Sequence, residues 1–516
     1  MKRPDMVLAL AACLGAAALP GAAAAEGPLD SLPALAEGAR LFDGAAARRE
    51  AVLSSPNAVR GLGRTRDAGA DLDGWISREE ITARQRMFAN ISPAGAAPGS
   101  VAASPSTHDP DYDYDWVRDA ALTMDSVVSL EAGASPSERQ GYDKALLAYA
   151  QLSRRQQTEP SAAGDGEPKY DMDGAPYTGP WARPQNDGPA LRALTLIHFA
   201  RSLLSRGQTA LVRSLLYDGK LPTNSVIKTD LEYVAHHWGD ACYDLWEETY
   251  GRHFFTEMMQ RRALVEGAKL ARDLGDPGAA DYYQSQVEPL SREIERHWDP
   301  GRNIIVETLD QQGMDYKKSG LDSAVVLAVL YGEGQDDFFP PTDDRVLATV
   351  LAQEKAFDSL YALNRPDDPG ADSPVAVGRY PEDRYGGGNP WILSTEGFGE
   401  FYYRLAKELR GKGSIRVNDI NGPFYRGLAG PSGAGLAAGT VLPSSDPRYA
   451  AILAALARKG DAQESLVRAH AGPGGELSEQ MDRNSGAMSS AQDLSWNYAA
   501  FMAEDSARRE LRGARH

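Results

Sequence analysis

The stretch that decides the fold is WARPQNDGPALRALTLIHFARSLLS, residues 181–205. From residue 188 onward, apolar side chains recur at three- and four-residue spacing, which predicts a helix with one buried face. The preceding residues bring Trp181, Arg183 and Asp187 together without such a period, which predicts a loop. This unit, a helix preceded by an aromatic and charged loop, recurs along the chain.

Eleven further segments carry the helical period: 76–91, 117–132, 137–157, 246–273, 277–298, 320–332, 343–359, 391–410, 447–459, 462–470 and 489–505. Runs of alternating β-branched residues are scarce, so strands should be short and peripheral. About twelve helices without an internal linker predict an all-α fold, an (α/α)6 barrel of six inner and six outer helices. The number of helices fits a helical solenoid as well, so both architectures stay open at this point.

Aromatic and acidic clusters lie between these helices, at 112–119, 177–187, 243–248, 379–391 and 478–482. A helical barrel would gather such loops at one mouth. Aromatic faces stack on the apolar faces of pyranose rings, and charged groups hydrogen-bond their hydroxyls. The clusters therefore predict a sugar site, although each one alone would fit buried aromatics and surface acids.

Net charge and the spacing of short motifs argue against a nucleic-acid partner, a metal site and a cofactor site. The 516 residues carry a formal net charge of −18, which disfavours binding to phosphate backbones. His236 and His237 lack a third ligand at a recognisable spacing. The calcium-loop-like segment 69–80 begins with glycine where aspartate is needed, and the glycines of 433–439 do not have nucleotide-loop spacing. We therefore expect no metal, no cofactor and no nucleic-acid partner.

The N-terminal residues predict export. A basic start is followed by an apolar run at 7–19 and then by small residues, which is typical of a signal peptide over residues 1–25. The residues before Cys13 also resemble a lipoprotein box, so a lipid anchor at Cys13 is an alternative. We expect residues 26–70 to be an N-terminal extension and 71–510 to be one catalytic domain, with no starch-binding domain.

Two short motifs, Tyr-Asp-Leu-Trp-Glu-Glu at 243–248 and Leu-Ser-Glu-Gln at 477–480, introduce a resemblance to a known family. Others in the same order are Ala-Ser-Pro-Ser-Thr at 103–107, Tyr-Asp-Trp-Val-Arg-Asp at 114–119, the segment 181–192, Val-Gly-Arg-Tyr-Pro-Glu-Asp at 377–383 and Gly-Asn-Pro-Trp at 388–391. In order and spacing they resemble glycoside hydrolase family 15, the glucoamylases, and most closely the fungal type.

The resemblance implies an inverting hydrolase that removes β-D-glucose from non-reducing ends of α-1,4-glucans and cuts α-1,6 links more slowly. Inversion needs two carboxyl groups roughly 6.5–9.5 Å apart. By resemblance Glu247 is the general acid, Glu479 the general base, Glu248 a substrate-binding carboxylate and Asp244 a supporting charge. A general acid needs an apolar or acidic setting to stay protonated, and we expect Trp246 and Glu248 to supply it.

The resemblance also assigns the residues that hold the sugar. Arg118 and Asp119 match a pair that grips the terminal glucose, and Arg379 matches an arginine that contacts the first two sugars. Gln480 is expected to orient its neighbours, and Tyr112 to hold the catalytic water. The aromatic residues matched to the pocket wall are Trp116, Trp181, Trp391 and Trp496. Supporting residues are expected around the Trp181 loop: Arg183 and Asp187.

Departures from the fungal pattern leave alternatives open. The chain cannot form the fungal disulfides, and Asp115 and Val117 differ from the pattern. A related specificity, for isomaltooligosaccharides, glucodextran or trehalose, is one alternative. An inverting phosphorylase would need no base at Glu479, and a non-catalytic glycan-binding protein would need neither carboxyl group. We expect an α-glucan or maltooligosaccharide substrate, no protein partner and a monomer.

Overall fold

The computed structural model describes residues 67–334, 336–365 and 373–513. Helices of seven residues or more within these ranges are α1 Asp67–Ala89, α2 Val117–Gly133, α3 Pro136–Thr158, α4 Asp187–Ser205, α5 Val226–His237, α6 Phe254–Asp273, α7 Pro277–Glu295, α8 Ala324–Gly332, α9 Asp344–Leu360, α10 Ile392–Lys412, α11 Gly422–Leu428, α12 Pro447–His470 and α13 Ser495–Arg512. A short turn, Thr209–Leu211, continues into a π-helical segment, Val212–Leu216.

Six helices form a closed inner ring. The ring is formed by α2, α4, α6, α8, α10 and α13, each of which packs against the next in this order. Helix α13 then packs against α2. The helices α1, α3, α5, α7, α9 and α12 pack outside this ring. The closing contact between α13 and α2 distinguishes an (α/α)6 barrel from an open solenoid, so the predicted fold is confirmed.

Two helices differ from the sequence expectation. The segment 226–237 was not among the predicted helices, yet it forms α5, and its apolar residues Val226, Ile227 and Leu231 are fully buried. Residues 447–470 form one helix rather than two. The helix continues through Gly460. A side chain at this position would collide with the ring of Tyr403, so the glycine allows close helix packing.

Some predicted helix starts were also wrong. The first helix begins at Asp67 rather than 76, and the last spans Ser495–Arg512 rather than 489–505. The helix predicted from 246 begins at Phe254. The residues before it form a hairpin, because Tyr250–His253 pairs antiparallel with both Cys242–Tyr243 and Thr308–Gln312. This hairpin carries the predicted catalytic motif.

The strands are short, as predicted. They are β1 Asp115–Trp116, β2 Lys169–Tyr170, β3 Cys242–Tyr243, β4 Tyr250–His253, β5 Trp298–Asp299, β6 Ile304–Ile305, β7 Thr308–Gln312, β8 Ser414–Arg416, β9 Val441–Pro443, β10 Gln480–Met481 and β11 Met488–Ser489. They pair as β1–β2, β3–β4–β7, β5–β6, β8–β9 and β10–β11. The ribbons β1–β2, β3–β4–β7 and β10–β11 lie in the loops that precede inner helices.

Helix α8 shows why the inner ring is the core. Its sequence AVVLAVLYG is apolar on every side, and residues 324–330 are all buried. A helix that is apolar all round must be covered all round, as an inner barrel helix is. Over the described ranges no helix is long and apolar enough to cross a bilayer. The predicted signal peptide, Cys13 and most of the predicted extension lie outside the described residues.

Candidate active site

The predicted site residues come together where the inner helices begin. The residues in question stand at or just before the first turns of α2, α4, α10 and α13: Trp116, Arg118, Asp119, Asp187, Trp391 and Trp496. The β3–β4 turn, which leads into α6, adds residues 244–249. Helix N-termini carry partial positive charge, which favours the carboxylates that collect at this end.

The turn that carries Glu247 is held by Asp244. The Asp244 carboxylate accepts hydrogen bonds from the backbone N–H groups of Glu248 at 2.7 Å and Thr249 at 2.9 Å. Its carbonyl accepts from the N–H of Glu247 at 2.9 Å. Glu247 has φ of 65°, a left-handed conformation that is costly for a side chain other than glycine. The hydrogen bonds of Asp244 therefore hold Glu247 in a strained backbone conformation, which fixes the direction of its carboxyl group.

The polar contacts of Glu247 are made by one of its two carboxyl oxygens. The indole N–H of Trp116 and the amide of Gln185 each donate to Oε1 at 2.8 Å. The Arg118 guanidinium lies 3.8 Å from the same oxygen. All three of these contacts fall on Oε1 rather than on Oε2.

Arg118 is the centre of a buried polar cluster. It donates to Gln185 at 2.9 Å and to Asp187 at 3.2 Å, and it lies 3.5 Å from Asp119. Burial raises the pKa of Asp119 to about 6, against the lowering effect of Arg118. Arg118 also lies 6.0 Å from the ring centroid of Trp496. The predicted sugar-gripping pair and the predicted supporting residue Asp187 are therefore in one cluster with Glu247.

Glu248 is bound to a different set of groups. Arg379 donates to its Oε1 at 2.8 Å and Tyr380 to its Oε2 at 2.6 Å. Arg379 in turn donates to both oxygens of Asp383. Both oxygens of Glu248 are thus engaged, one by a guanidinium and the other by a hydroxyl donor.

Trp246 does not lie in the setting that the sequence suggested. Its indole N–H donates to Asp322 at 2.9 Å, and its ring packs edge-on against Trp391 at 5.4 Å. Arg379 lies 5.6 Å from its ring centroid. The polar neighbours of Glu247 are thus Trp116, Gln185 and Arg118, whereas the side chains of Trp246 and Glu248 engage Asp322 and Arg379.

Glu479 lies at the start of the β10–β11 ribbon and is only 1% exposed. Gln480 donates to its Oε2 at 2.8 Å and Ser490 at 2.5 Å. Burial raises the pKa of Glu479 to about 7, against these donors. Burial together with the charge of Glu479 raises the pKa of Tyr112 well above its usual range. Tyr112 also hydrogen-bonds the hydroxyl of Tyr385 at 2.9 Å.

An aromatic wall adjoins Glu247. Trp116 packs edge-on against Trp181 at 5.8 Å, and Tyr177 lies 5.7 Å from Trp181. Lys169, the cross-strand partner of Trp116, places its ammonium 3.7 Å from the Trp181 ring centroid and 4.4 Å from that of Trp116. Burial lowers the pKa of Lys169 to about 8. The wall is therefore built around a buried cation, which orients the rings.

Arg183 and Asp115 act away from the reacting groups. Arg183 donates to Glu167 at 2.6 Å and to two backbone carbonyls, so it braces the Trp181 loop as expected. Asp115 accepts from Gln156 at 3.0 Å and is buried. Successive strand residues face opposite ways, so Asp115 lies opposite Trp116. The Asp115 carboxylate therefore bonds to α3 on the side of the strand away from Trp116.

Several contact residues were missed from the sequence. They are Lys169, Gln185, Tyr380, Tyr385, Ser490 and Lys317. Gln185 and Tyr380 fall inside quoted motifs, so proximity to those motifs was a usable signal. Lys169 and Lys317 stand in stretches with no motif, and only the tertiary contacts reveal them. Within the described residues no group of three His, Cys, Asp or Glu side chains has the arrangement of a metal site.

An (α/α)6 barrel whose mouth combines paired carboxyl groups with tryptophans has the architecture of a carbohydrate-active enzyme. The family model of Glycosyl hydrolases family 15 matches residues 81–503. The chain therefore belongs to glycosyl hydrolases family 15 and is a glycoside hydrolase.

The relatives and solved structures agree with this family. A glucoamylase of Blastobotrys adeninivorans is 39% identical over 87% of this chain and 74% of its own length. Glucoamylase 1 of Rhizopus oryzae is 38% identical over 84% of this chain and 70% of its own length. The solved family 15 glucoamylase from Hypocrea jecorina aligns with a TM-score of 0.78 at 31% identity, covering 85% of this chain and 73% of that one.

Proposed function

We propose that the chain is an inverting, exo-acting glucoamylase. It hydrolyses α-1,4 bonds at the non-reducing ends of starch-type glucans and maltooligosaccharides, and α-1,6 bonds more slowly, with release of β-D-glucose. The observation that carries this is the pair Glu247 and Glu479. Each has hydrogen-bond donors on one carboxyl oxygen only, and the two are held on separate ribbons at the same barrel end. The names of the relatives support the substrate class.

In the proposed reaction, Glu247 gives the proton on Oε2 to the glycosidic oxygen as the C1–O bond breaks. Glu479 removes a proton from a water molecule while the water oxygen bonds to C1 from the opposite face. The anomeric configuration is thereby inverted. Both proton transfers are general acid–base steps, each worth about 10²–10⁴-fold in rate. Solvent then returns Glu247 and Glu479 to their starting states.

Exo action is supported by the buried charge around the terminal sugar. Arg118 and Asp119 are 6% and 8% exposed, and Asp187 closes the cluster behind them. Sugar hydroxyls of a chain end can bond to such groups, whereas a continuing chain would bury a glycosidic link against charge. Trp181 and Trp391 provide aromatic faces for pyranose rings. Arg379, which is paired with Glu248, contacts the terminal sugar and the next one.

The test is the initial rate of glucose release from maltose, maltoheptaose, isomaltose and trehalose, with and without phosphate. We expect maltoheptaose and maltose to be cleaved faster than isomaltose, with no phosphate requirement. Proton NMR of the first product should show β-glucose. Trehalose or isomaltose as best substrate would replace the proposed specificity, phosphate dependence would identify a phosphorylase, and α-glucose would refute inversion.

We further propose that the chain is exported and acts as a monomer. The basic start and apolar run of residues 1–25 support export. The test is N-terminal sequencing and mass of the protein from the native host. Export predicts a new N-terminus near residue 26, lipid anchoring predicts an acylated Cys13, and an intact Met1 would refute both. Light scattering at enzyme-assay concentration measures the oligomeric state, and a stable dimer mass would refute the monomer.

A further inference from the structure

Lys317 is a buried cation beneath the turn that carries Glu247. It lies in the loop between β7 and α8, and its side chain is only 8% exposed. We propose that Lys317 is a positioning residue that holds the segment 246–248 in its reactive arrangement. This inference rests on the proposed function, because it gives Lys317 a task in proton donation by Glu247. Three separate contacts carry it.

The first contact runs through Asp244. The Lys317 ammonium lies 3.7 Å from Oδ2 of Asp244. The other oxygen, Oδ1, accepts the backbone N–H groups of Glu248 and Thr249. Lys317 therefore compensates the charge of the carboxylate that shapes the turn, including the left-handed residue Glu247.

The second contact runs through Asp322. Lys317 donates to Oδ2 of Asp322 at 3.1 Å, while Oδ1 accepts from the indole of Trp246 at 2.9 Å. Oδ1 also accepts from the N–H of Ala324 at the start of α8 at 2.9 Å. Asp322 is thereby shared between an inner helix and the residue that precedes Glu247.

The third contact runs through Tyr380. The Lys317 ammonium lies 3.9 Å from the ring centroid of Tyr380, a cation–π geometry. The hydroxyl of Tyr380 donates to Glu248 at 2.6 Å. One ammonium thus contacts three side chains, and each of these holds a different part of the segment 246–248.

Removal of this cation would leave negative charge unpaired. Asp244 and Asp322 are 0% and 1% exposed, so neither carboxylate can be neutralised by solvent in place of Lys317. Removing one partner of a buried ion pair leaves an uncompensated charge, which drives the remaining groups apart or draws in water. The turn would then shift, and misplacement by about 1 Å of a reacting group can cost about 100-fold in rate.

The test compares Lys317→Met with Lys318→Met, a neighbouring exposed lysine, on two substrates. Maltose needs its leaving group protonated, whereas α-D-glucosyl fluoride has a leaving group that needs little help. If Lys317 positions the general acid, Lys317→Met lowers kcat on maltose by about 10- to 100-fold and on the fluoride by less than about threefold. Lys318→Met should match the wild type on both substrates.

A purely structural role gives a different result. Partial unfolding or general distortion would lower both rates by the same factor, and that outcome would overturn the proposal, as would an unchanged rate on maltose. Circular dichroism measures the folded fraction of each variant. If Lys317→Met does not fold, Asp322→Asn replaces it, since the amide keeps an acceptor for Trp246 but removes the anion; the same substrate-dependent loss is expected.

Glu247→Gln separates this inference from the proposed function. Full activity of Glu247→Gln on maltose would refute the general acid assignment itself. If Glu247→Gln loses maltose activity while retaining fluoride activity, and Lys317→Met retains both, the proposed function stands and the role of Lys317 fails. Lys317→Arg should recover part of the maltose rate, because it keeps the cation.

Discussion

Glu247 and Glu479 are identical side chains held by two different kinds of contact. The donors to Glu247 come from Trp116 and Gln185, which lie 131 and 62 residues away in the chain. The donors to Glu479 are Gln480 and Ser490, 1 and 11 residues away on the same ribbon. The carboxyl of Glu247 is 18% exposed beside a cation, whereas Glu479 is 1% exposed. The proposed acid is therefore set by contacts between loops that lie far apart in the chain, and the proposed base by a local hairpin and burial.

The largest effects are expected from substitution of the two carboxyl groups themselves. Glu247→Gln and Glu479→Gln should each lower kcat on maltoheptaose by about 10²–10⁴-fold or more, with binding of the substrate largely retained. Only Glu247→Gln should regain rate on α-D-glucosyl fluoride, because only the acid is relieved by a better leaving group. Steady-state kinetics on both substrates measure this. Equal behaviour of the two variants would contradict the assignment of roles.

Gln185→Leu tests the contacts that reach Glu247 from distant parts of the chain. The substitution removes a donor to Glu247 and a contact of Arg118, and a hydrogen bond to a charged group is worth about 1.5–3 kcal/mol. We expect kcat/KM for maltose to fall by about 10- to 100-fold. Asn421→Leu, which removes a buried amide bonded to Asp344 far along the chain, is the control and should leave kcat/KM unchanged when folded.

The local side is tested by Ser490→Ala. Ser490 lowers the pKa of Glu479 by donating to its charged form, although burial raises it overall. Loss of this donor should raise the pKa of Glu479, so the acidic limb of the kcat/KM profile should move to higher pH by about 0.5–1 unit. Ser489→Ala, on the adjacent residue, should leave the limb in place. A limb that moves to lower pH would contradict the role of Glu479 as base.

The smallest expected effect concerns Glu504, a carboxyl group whose pKa is set by burial and neighbouring carboxyl groups rather than by hydrogen bonds. Glu504 is fully buried with no hydrogen-bond partner for either oxygen among the described residues, and burial, aided by Glu464 and Glu396, raises its pKa well above the usual range. Between the unfolded and folded pKa values, stability falls as pH rises, because the unfolded carboxyl ionises and the folded one does not.

Glu504→Gln removes that dependence. Its Tm should exceed that of the wild type by about 1–3 °C at pH 7 and match it near pH 4, with unchanged kcat. Glu510→Gln, an exposed carboxyl paired with Lys407, is the matched control and should show no gain at pH 7. A Tm gain for Glu504→Gln that is equal at both pH values would show that burial does not hold the proton there.

The helical period predicted most of the barrel because inner and outer helices each bury a regular face. It failed where residues before α6 imitate that period. Leu245, Trp246 and Tyr250 fit helical spacing, but Asp244 bonds the backbone of residues 248 and 249 and forms a turn. Local side-chain bonds to backbone compete with helix formation, and the periodicity of apolar residues does not report them.

The motifs predicted which residues would gather at the site, but not their partners. Glu248 and Trp246 follow Glu247 in sequence, and adjacency suggested that they would surround it. A turn sends neighbouring side chains in different directions, so Glu248 bonds Arg379 and Trp246 bonds Asp322. Lys169 and Lys317 had no signal at all, because a buried lysine is recognisable only from the rings and carboxylates around it.

The sequence by itself determined an all-helical chain, its aromatic and acidic loops, and the ordered motifs that single out Glu247 and Glu479. The helices and loops follow from periodicity and composition, whereas the choice of Glu247 and Glu479 follows from the resemblance of the ordered motifs to family 15. The tertiary structure alone decided that α13 closes on α2 and that Trp116, Gln185 and Arg118 meet one oxygen of Glu247. Which groups become neighbours across long separations depends on how all six inner helices pack, and the hydrogen bonds and burial that tune a carboxyl group exist only after that packing.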